Sequence, residues 1–376
     1  MKSTTITPYD DVLARLTPGP QSMRGFDSDY TDIVSYIIRC TYKIWEEKQI
    51  GLIDTHYSQD AVIHTSNGDI VGAKSVLANT VQQLSLFPDR RLFPEDVIWA
   101  GNDLDGFYSS HRILSTAHHR GYSLYGAPSG RRLKYRVIAD CVVKENLIVE
   151  EWLVRDDLNI IRQIGLDERG YAAKLVAMMP EKYRVAKHDS QAKPAPSSKP
   201  VARDPEGFDI ETLIKTTWHE AWNQRMFDRF SEAYLSTAHC HSASGRELFG
   251  HADITQFAID WLACFPDGQM YFDHFCALGN DSQGYRTSLR WTFQGTHSGY
   301  GIYGEPGGMP VRIMGITQAI VQGGKVVEEW TVFDELNLLC QLSAPHNTAL
   351  NPSAAASQTT IERCICIILT RYTRLL

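Results

Sequence analysis

The chain contains two copies of one sequence module. The segment "VEEWLVRDDLNIIRQIG" at residues 149–165 reappears as "VEEWTVFDELNLLCQLS" at residues 327–343, with Trp, Asp, Asn and Gln in register. The segment "HRGYSLYGAPSG" at residues 119–130 likewise reappears as "HSGYGIYGEPGG" at residues 297–308. Matches this dense, at a nearly constant spacing, indicate a duplicated module. Further matches upstream are Trp45 with Trp222, Tyr57 with Tyr234, and His64 with His241.

The duplication predicts two domains, as the length of 376 residues also favours. Between the copies lies "HDSQAKPAPSSKPVARDPEG", whose Pro, Ser, Ala and Lys residues are typical of a solvated linker. We therefore assign residues 25–170 to the first domain, 186–206 to the linker, 207–344 to the second domain and 345–376 to a C-terminal extension.

The composition argues against nucleic-acid and membrane partners. A net charge of −7 and a pI near 6.0 do not favour contact with polyanions or anionic lipids. No apolar run is long enough to span a bilayer, and the N-terminal residues lack the apolar stretch of a signal peptide. Eight scattered cysteines fit a reducing compartment, so we predict a cytoplasmic protein.

Each copy has helical periodicity first and strand-like segments afterwards. The segment "DYTDIVSYIIRCTYKIWEE" has apolar residues at spacings of three and four, which predicts a helix, with Asp27–Asp29 as capping residues. Residues 72–87 predict a second helix. Four β-rich stretches follow, at residues 92–100, 106–118, 133–143 and 147–156. This order predicts an α+β fold in which helices cover one face of a curved antiparallel sheet.

The order of elements and the two repeated motifs resemble those of the SnoaL-like polyketide cyclases, which belong to the NTF2-like superfamily. The motifs that support the resemblance are "H-x-G-Y-x-x-Y-G-x-P-x-G" and "V-E-E-W-x-V-x-D-x-L-N-x-L-x-Q". The resemblance covers both copies and implies two NTF2-like cone domains. Because members usually pair sheet to sheet as homodimers, it also implies an intramolecular pseudo-dimer, with further homo-oligomerisation left open.

The resemblance also implies a chemistry. In polyketide cyclases of this kind an acidic residue removes a proton next to a carbonyl, and the enolate closes a ring by an aldol step. Neither a metal nor an organic cofactor is needed. The implied partner is therefore a small hydrophobic metabolite of secondary metabolism, bound in the cavity of a cone.

Asp156 and Asp334 are the catalytic candidates. Alternation along a strand places Trp152 and Asp156 on one face and Glu151 on the other. The family's catalytic acid matches these aspartates, and an apolar cavity would raise the pKa of such a carboxyl toward the range of a general base. The alternative is that each aspartate caps the turn that follows its strand.

The substrate-binding candidates are polar or aromatic residues that both copies repeat. Histidine moves protons near neutral pH, and aromatic rings contact planar ligands broadly. Each also has a structural alternative: the histidines can anchor loops or strand ends, and the tyrosines can belong to the core or to an interface. The candidates are His64, His119, His241, His297, Tyr122, Tyr300, Trp152 and Trp330.

The two copies differ on the third long strand, where the first has Asp140 and the second has Gln318. Related cyclases use a glutamine near this point to hold substrate, which favours the second copy as the catalytic one. Gln318 shares a face with Asp334 only if the last hairpin contains a one-residue bulge. Asp140, Arg112 and Asp156 also resemble, loosely, the Asp–Arg–Asp site of NTF2-like epoxide hydrolases.

The leading hypothesis is a cofactor-independent cyclase, isomerase or lyase of the SnoaL-like type that uses aspartate for general acid/base catalysis. A binding or scaffold protein without catalysis is the main alternative, and an epoxide hydrolase or dehydratase is a further one. The sequence contains no glycine-rich phosphate loop, nucleophile elbow or zinc-protease helix motif. We accordingly predict neither a cofactor nor a metal.

Overall fold

The computed structural model describes residues 9–178 and 209–344. The predicted linker and C-terminal extension lie outside these residues. The described residues divide into two units, one ending at Leu153 and the other beginning at Val154.

The first unit has four α-helices that precede or interrupt a six-stranded sheet. Its strand order is β2-β1-β6-β5-β4-β3. β1 runs parallel to β6, whereas β4 is antiparallel to both β3 and β5. The elements are α1 Tyr9–Leu16, α2 Ile33–Trp45, α3 Ile53–His56, β1 Tyr57–Thr65, β2 Gly68–Val71, α4 Ala73–Leu86, β3 Arg91–Asn102, β4 Gly106–His118, β5 Arg132–Lys144 and β6 Leu147–Arg155.

The second unit repeats this plan with the strand order β8-β7-β12-β11-β10-β9. It begins with the end of β6 and with two helices that follow it, α5 Asp157–Ile164 and α6 Glu168–Met178. The remaining elements are α7 Ile210–Trp218, α8 Asp228–Ala233, β7 Tyr234–Ser242, β8 Arg246–Phe249, α9 Gly250–Cys264, β9 Gln269–Asn280, β10 Gly284–Thr296, β11 Pro310–Gln322, β12 Lys325–Phe333 and α10 Glu335–Leu342.

The α+β class, the two main helices and the four long strands of the first copy are confirmed. The sheets are mixed rather than purely antiparallel, because β1 and β7 pair in parallel with the last strand of their copies. The predicted cap of α2 is wrong. Asp32, not the segment Asp27–Asp29, begins the helix: its carboxylate accepts from the backbone N–H of Ser35, and the Ser35 hydroxyl accepts from the N–H of Asp32.

Both copies join their last two strands by a two-residue turn with a left-handed backbone. Glu145 and Asn146 have φ of 46° and 69°, and Gly323 and Gly324 have φ of 55° and 73°. Such turns match the twist of the strands they join. In the second copy, a bulge shifts the β11–β12 register next to this turn, so that Gln318 lies opposite Trp330. Alternation then places Gln318 on the same face as Asp334, as the bulge alternative required.

The helices that end the first copy belong to the second unit. α5 contacts the turn at residues 243–245, and both α5 and α6 contact α10. The structural boundary at residue 153 therefore differs from the boundary at residue 170 that the repeat suggests, because these helices pack where their apolar faces are covered. No helix among the described residues is long and apolar enough to cross a membrane.

Candidate functional site

A cavity opens inside the cone of the second unit. Its empty volume, including the part open to solvent, is about 520 Å³. Most of its wall is aromatic or aliphatic, and the polar exceptions come mainly from β7 and β12. β12 contributes Glu329, Thr331 and Phe333, which alternation places on one face. The other lining residues are Trp218, Trp222, Phe230, Tyr234, Cys240, Ser242, Leu248, Ile254, Phe257, Trp261, Met270 and Trp291.

Glu329 is the acidic residue in this wall. Its Oε2 accepts a hydrogen bond from the Tyr234 hydroxyl at 2.5 Å, and its Oε1 accepts from the Thr331 hydroxyl at 2.9 Å. Burial disfavours the charged form and raises the pKa of Glu329 above its ordinary value, against the two hydrogen bonds, which lower it. Burial also raises the pKa of Tyr234 well above that of a free phenol. The Glu329 carboxyl group thus has a raised pKa in a mostly apolar setting.

A chain of hydrogen bonds ends at Glu329. The Trp291 indole Nε1 donates to Thr317 Oγ1 at 3.0 Å, and the Thr317 and Thr331 hydroxyl oxygens are 2.8 Å apart. An indole can only donate, and Thr331 uses its proton on Glu329. Thr317 therefore donates to Thr331, and every bond in the chain points toward the carboxylate. Such a chain favours the ionised form of Glu329 and so opposes the effect of burial.

The first copy keeps the glutamate and tyrosine but not the chain. Tyr57 donates to Glu151 Oε2 at 3.0 Å, and burial raises the pKa of Glu151 to about 7. The positions of Trp291, Thr317 and Thr331 are occupied by the apolar residues Ile113, Ala139 and Leu153. Only the second copy therefore has the hydroxyl-bearing wall beside its carboxyl group.

Asp334 does not line this cavity, contrary to the expectation, and Asp156, which was expected to face the cone of the first copy, does not line this cavity either. Both are nearly fully buried and occupy the N-cap positions of α5 and α10. Asp334 Oδ1 accepts from the Asn337 N–H at 2.9 Å, and Asp156 Oδ1 accepts from the Ser244 N–H at 2.7 Å. Strand alternation explains the error, since Asp334 directly follows Phe333, the last cavity-lining residue of β12.

Burial nevertheless raises the pKa of both aspartates. The pKa of Asp156 is raised to about 6 by burial, against hydrogen bonds from backbone amides that lower it. Burial first and the nearby Asp157 carboxylate second raise the pKa of Asp334 well above its ordinary value. Their catalytic role stays a prediction. Their positions are explained by the hydrogen bonds that each carboxylate accepts at the start of a helix.

Gln318, Trp330 and His241 form a row on the sheet face opposite the cavity. They are register partners on β11, β12 and β7, respectively, and their neighbours Glu329 and Cys240 line the cavity. These three side chains therefore do not face the cavity, and the prediction that they hold a substrate inside the cone is wrong. In the first copy, Trp152 is the register partner of His64 in the same way.

The two strand histidines sit between carboxylates rather than at a cavity mouth. His64 Nδ1 lies 2.9 Å from Asp69, its Nε2 lies 3.0 Å from Glu150, and its ring stacks on Trp152. In the second copy His241 stacks on Trp330 at an interplanar angle of 13°. The two hydrogen bonds of His64 match the alternative in which a strand-end histidine has its ring nitrogens satisfied, whereas His241 has a hydrogen bond at Nε2 only.

His119 and His297 anchor the loops that precede β5 and β11. The His119 N–H donates to the Arg131 carbonyl, and its Nδ1 lies 3.1 Å from the Ser129 hydroxyl. The His297 N–H donates to the Met309 carbonyl, and the His297 carbonyl accepts from the Gly308 N–H. The backbone bonds hold each loop against the first residues of its strand. The structure thus favours the loop-anchoring alternative for both.

Tyr122 and Tyr300 are 82% and 73% exposed, so their predicted contact with a ligand in a pocket is wrong. Each precedes a tight turn, closed by a bridge between Ser123 and Gly126 or between Gly301 and Gly304, that directs the ring away from the core. Among the substrate-binding candidates, Asp140 is fully buried and accepts a hydrogen bond from the Tyr108 hydroxyl. Arg112 donates to Glu95 Oε2 at 3.1 Å.

The sequence contained the signal that identifies Glu329. Both copies keep the second glutamate of "VEEW", and both keep the tyrosine that begins β1 or β7. The alternation correctly predicts which residues share a face, but the face that lines the cavity is the one with Glu329 and not the one with Trp330 and Asp334. Composition alone does not decide between the faces, because each bears both acidic and apolar residues.

Solved structures similar to this chain each match about one copy. A protein described as a SnoaL-like polyketide cyclase from Jannaschia sp. CCS1 is 19% identical, with 37% of this chain and 100% of that chain covered and a TM-score of 0.32. AclR from Streptomyces galilaeus, described as a hydroxylase, is 26% identical over 35% and 93%, with a TM-score of 0.31. IdmH from Streptomyces antibioticus, described as a polyketide cyclase, is 22% identical over 35% and 96%, with a TM-score of 0.31.

No curated protein matches the chain. The family model of the SnoaL-like polyketide cyclases, in contrast, matches it twice, at residues 36–164 and 212–342. Together the two matches cover more than half of the chain and coincide with the two repeated modules. The chain therefore belongs to the SnoaL-like polyketide cyclase family and contains two copies of its domain.

Proposed function

We propose that the chain is a cofactor-independent cyclase or isomerase in which Glu329 is the acid/base residue. The observation that supports this most directly is a buried glutamate with a raised pKa in a mostly apolar cavity. A base of this kind is suited to remove a proton next to a carbonyl group. Trp261, Phe257 and Phe333 in the wall favour a hydrophobic substrate that carries such a carbonyl.

The reaction would begin when the Glu329 carboxylate takes the α-proton and leaves an enolate. Tyr234, which now donates to Glu329, would turn its proton to the enolate oxygen once the carboxylate is protonated. The enolate carbon then attacks a second carbonyl of the same molecule and forms the new ring bond. Glu329 returns the proton to the resulting alkoxide, so no other reactant is consumed.

The second copy is the better candidate for this reaction. The Thr331 hydroxyl holds the Glu329 carboxylate in one orientation, and Trp291 and Thr317 hold Thr331. Glu151 in the first copy has only Tyr57 among the corresponding hydrogen-bond donors. Asp334 and Asp156 remain the alternative acid/base residues that the family resemblance implies, and one experiment separates them from Glu329.

The experiment follows exchange of α-protons in D₂O for a panel of apolar 1,3-diketones, by NMR. Enolisation is common to cyclisation and isomerisation, so the assay does not require the natural product. We expect the full chain to accelerate exchange and Glu329→Gln to reduce the acceleration roughly a hundredfold or more. The matched control is Glu151→Gln in the first copy, which should retain it.

Two other variants decide between the acidic residues. Loss of exchange in Asp334→Asn or Asp156→Asn, with full activity in Glu329→Gln, would assign the role to an aspartate and overturn the proposal. A diketone that quenches tryptophan fluorescence, yet exchanges no faster with the protein than without it, would instead favour a binding function. The cavity is suited to this readout because Trp218, Trp222, Trp261 and Trp291 line it.

A further inference from the structure

Two histidines on β7 share a face that the cavity does not use. His239 and His241 are separated by Cys240, which lines the cavity, so both point to the other side of the sheet. Glu247 on the neighbouring strand β8 lies directly opposite His241. Strand geometry thus brings two imidazoles and one carboxylate together at the edge of the sheet.

The three side chains converge on one point. His239 Nε2 lies 2.6 Å and His241 Nδ1 lies 2.7 Å from the same oxygen of Glu247, Oε2. All three atoms lie within 4.8 Å of one another. Two histidine nitrogens and a carboxylate oxygen are the protein ligands of many open zinc sites, with a water as the fourth ligand.

The orientation of both rings is fixed by contacts outside this group. His239 stacks on Phe249, with ring centroids 4.3 Å apart, and His241 stacks on Trp330 at 5.3 Å. The second nitrogen of His241, Nε2, lies 3.1 Å from Glu328 Oε1. A carboxylate on the far nitrogen is the usual support of a metal-binding histidine, since it fixes the tautomer that leaves the near nitrogen free for the ion.

The group is also accessible. The His239, His241 and Glu247 side chains are 32%, 13% and 45% exposed. A metal at the usual distance of about 2.0–2.1 Å from each ligand would move the three atoms apart to roughly 3.3 Å in tetrahedral geometry. The half-exposed Glu247 side chain has room for that adjustment.

We propose that His239, His241 and Glu247 bind a divalent transition metal, with Zn²⁺ as the ion that their ligand set suits best. The site lies on the sheet face opposite the cone cavity, so it is separate from the proposed acid/base residue. Glu328 positions His241 without contacting the ion. The inference does not depend on the proposed function.

The first copy supplies an internal comparison. His64 keeps a carboxylate at each nitrogen, Asp69 and Glu150, and keeps its stacking on Trp152. Val62, however, occupies the position of His239. The first copy therefore has the support of a metal-binding histidine but only one imidazole, and we expect it to bind no ion with comparable affinity.

Isothermal titration calorimetry of the full chain with Zn²⁺ tests the proposal, after treatment with a chelator that is then removed. We expect one Zn²⁺ per chain. His239→Val, which installs the first copy's residue, should weaken binding about a hundredfold, and Glu328→Gln about tenfold. His64→Val in the first copy should leave binding unchanged.

Circular dichroism checks that each variant is folded, and the electronic spectrum of bound Co²⁺ reports tetrahedral coordination. Absence of Zn²⁺ binding by the wild-type chain would overturn the proposal. So would binding by a folded His239→Val variant with wild-type affinity, because the ion would then lie elsewhere. A loss of binding in His64→Val alone would equally refute the assignment to the second copy.

Discussion

A buried glutamate paired with a tyrosine hydroxyl recurs in both copies, and it has a thermodynamic signature. Glu151 has an ordinary pKa of 4.5 that burial raises to about 7 in the folded chain. Between these values the folded state binds a proton that the unfolded state has released. The free energy of unfolding must therefore decrease as pH rises through this range.

We predict that Glu151→Gln removes the contribution of this residue, while Asp156, Asp334 and Glu329, whose pKa values are also raised by burial, keep theirs. The contribution of Glu151 to wild-type stability should fall by roughly 3 kcal/mol between pH 4.5 and 7, with one pKa unit corresponding to about 1.4 kcal/mol. The neutral amide has no proton to release, so the variant's curve should be flatter over the same range. Urea denaturation at a series of pH values measures both curves, and parallel curves would contradict the prediction.

Asp334 offers a second test at a single residue. Its carboxylate caps α10 through the Asn337 N–H, so Asp334→Ala should lower the free energy of unfolding by about 1–2 kcal/mol. Asp334→Asn retains an oxygen that can accept the same bond and should cost clearly less. Equal losses in both variants, measured by chemical denaturation, would show that the cap is not the main contribution of this side chain.

The sequence identified which residues share a strand face but not which face is interior. In the repeated Glu-Glu-Trp of β6 and β12, the first glutamate shares a face with the tryptophan and the second glutamate lies on the other face, so each face carries a glutamate. Helix packing over the sheet, which depends on residues far away in sequence, decides the matter. The sequence therefore does not single out Glu329, although both copies keep Tyr234 or its counterpart Tyr57.

At the scale of strands, the two copies fill the same position in the sheet by different pairs. In the second copy Trp291 lies opposite Gly315, and a Cβ on Gly315 would overlap the indole ring. In the first copy the corresponding partners are Ile113 and Val137. The second copy thus has one large side chain, Trp291, opposite a glycine, whereas the first copy has two side chains of medium size. Both pairs fill the same space, as a densely packed interior requires.

We predict that Gly315→Val alone destabilises the chain by about 1–3 kcal/mol, because the added methyl groups displace Trp291. The double variant Trp291→Ile with Gly315→Val installs the first copy's pair and should recover much of the loss. A double-mutant cycle from denaturation curves gives the coupling energy. Additive effects of the two changes would contradict the proposed steric link.

The main helices and long strands were predictable because their periodicity is local. The short strands β2 and β8, of four residues each, left no such pattern. The parallel pairing of β1 with β6 joins segments far apart in sequence and follows from no turn signal. The sequence predicts the bulge in β12 only as an alternative, because a bulge changes the register without changing the composition.

At the scale of the whole chain, the end of the first copy is built into the second unit. The Ser244 N–H donates to Asp156, and Arg162 Nη1 donates to the Ser244 carbonyl at 2.8 Å. Arg169 Nη2 donates to the Tyr303 carbonyl, also at 2.8 Å. The predicted linker is therefore not the only connection between residues 9–178 and residues 209–344.

We predict that cutting the chain between Lys193 and Pro194, at an inserted protease site, leaves the two fragments associated. They should co-elute in size-exclusion chromatography because α5 and α6 remain packed on α10. Asp156→Ala combined with Arg162→Ala removes both bonds to Ser244 and should lower the temperature at which the cut fragments separate. Spontaneous separation of the wild-type fragments would contradict the packing of these helices.

The fusion of two copies also changes how the protein can evolve. In a homodimer one gene encodes both cones, so every substitution appears in both. Here the two copies differ at equivalent positions. Val62 of the first copy corresponds to His239 of the second, and the Ile113–Val137 pair corresponds to Trp291–Gly315. Selection can thus act on one cone without changing the other.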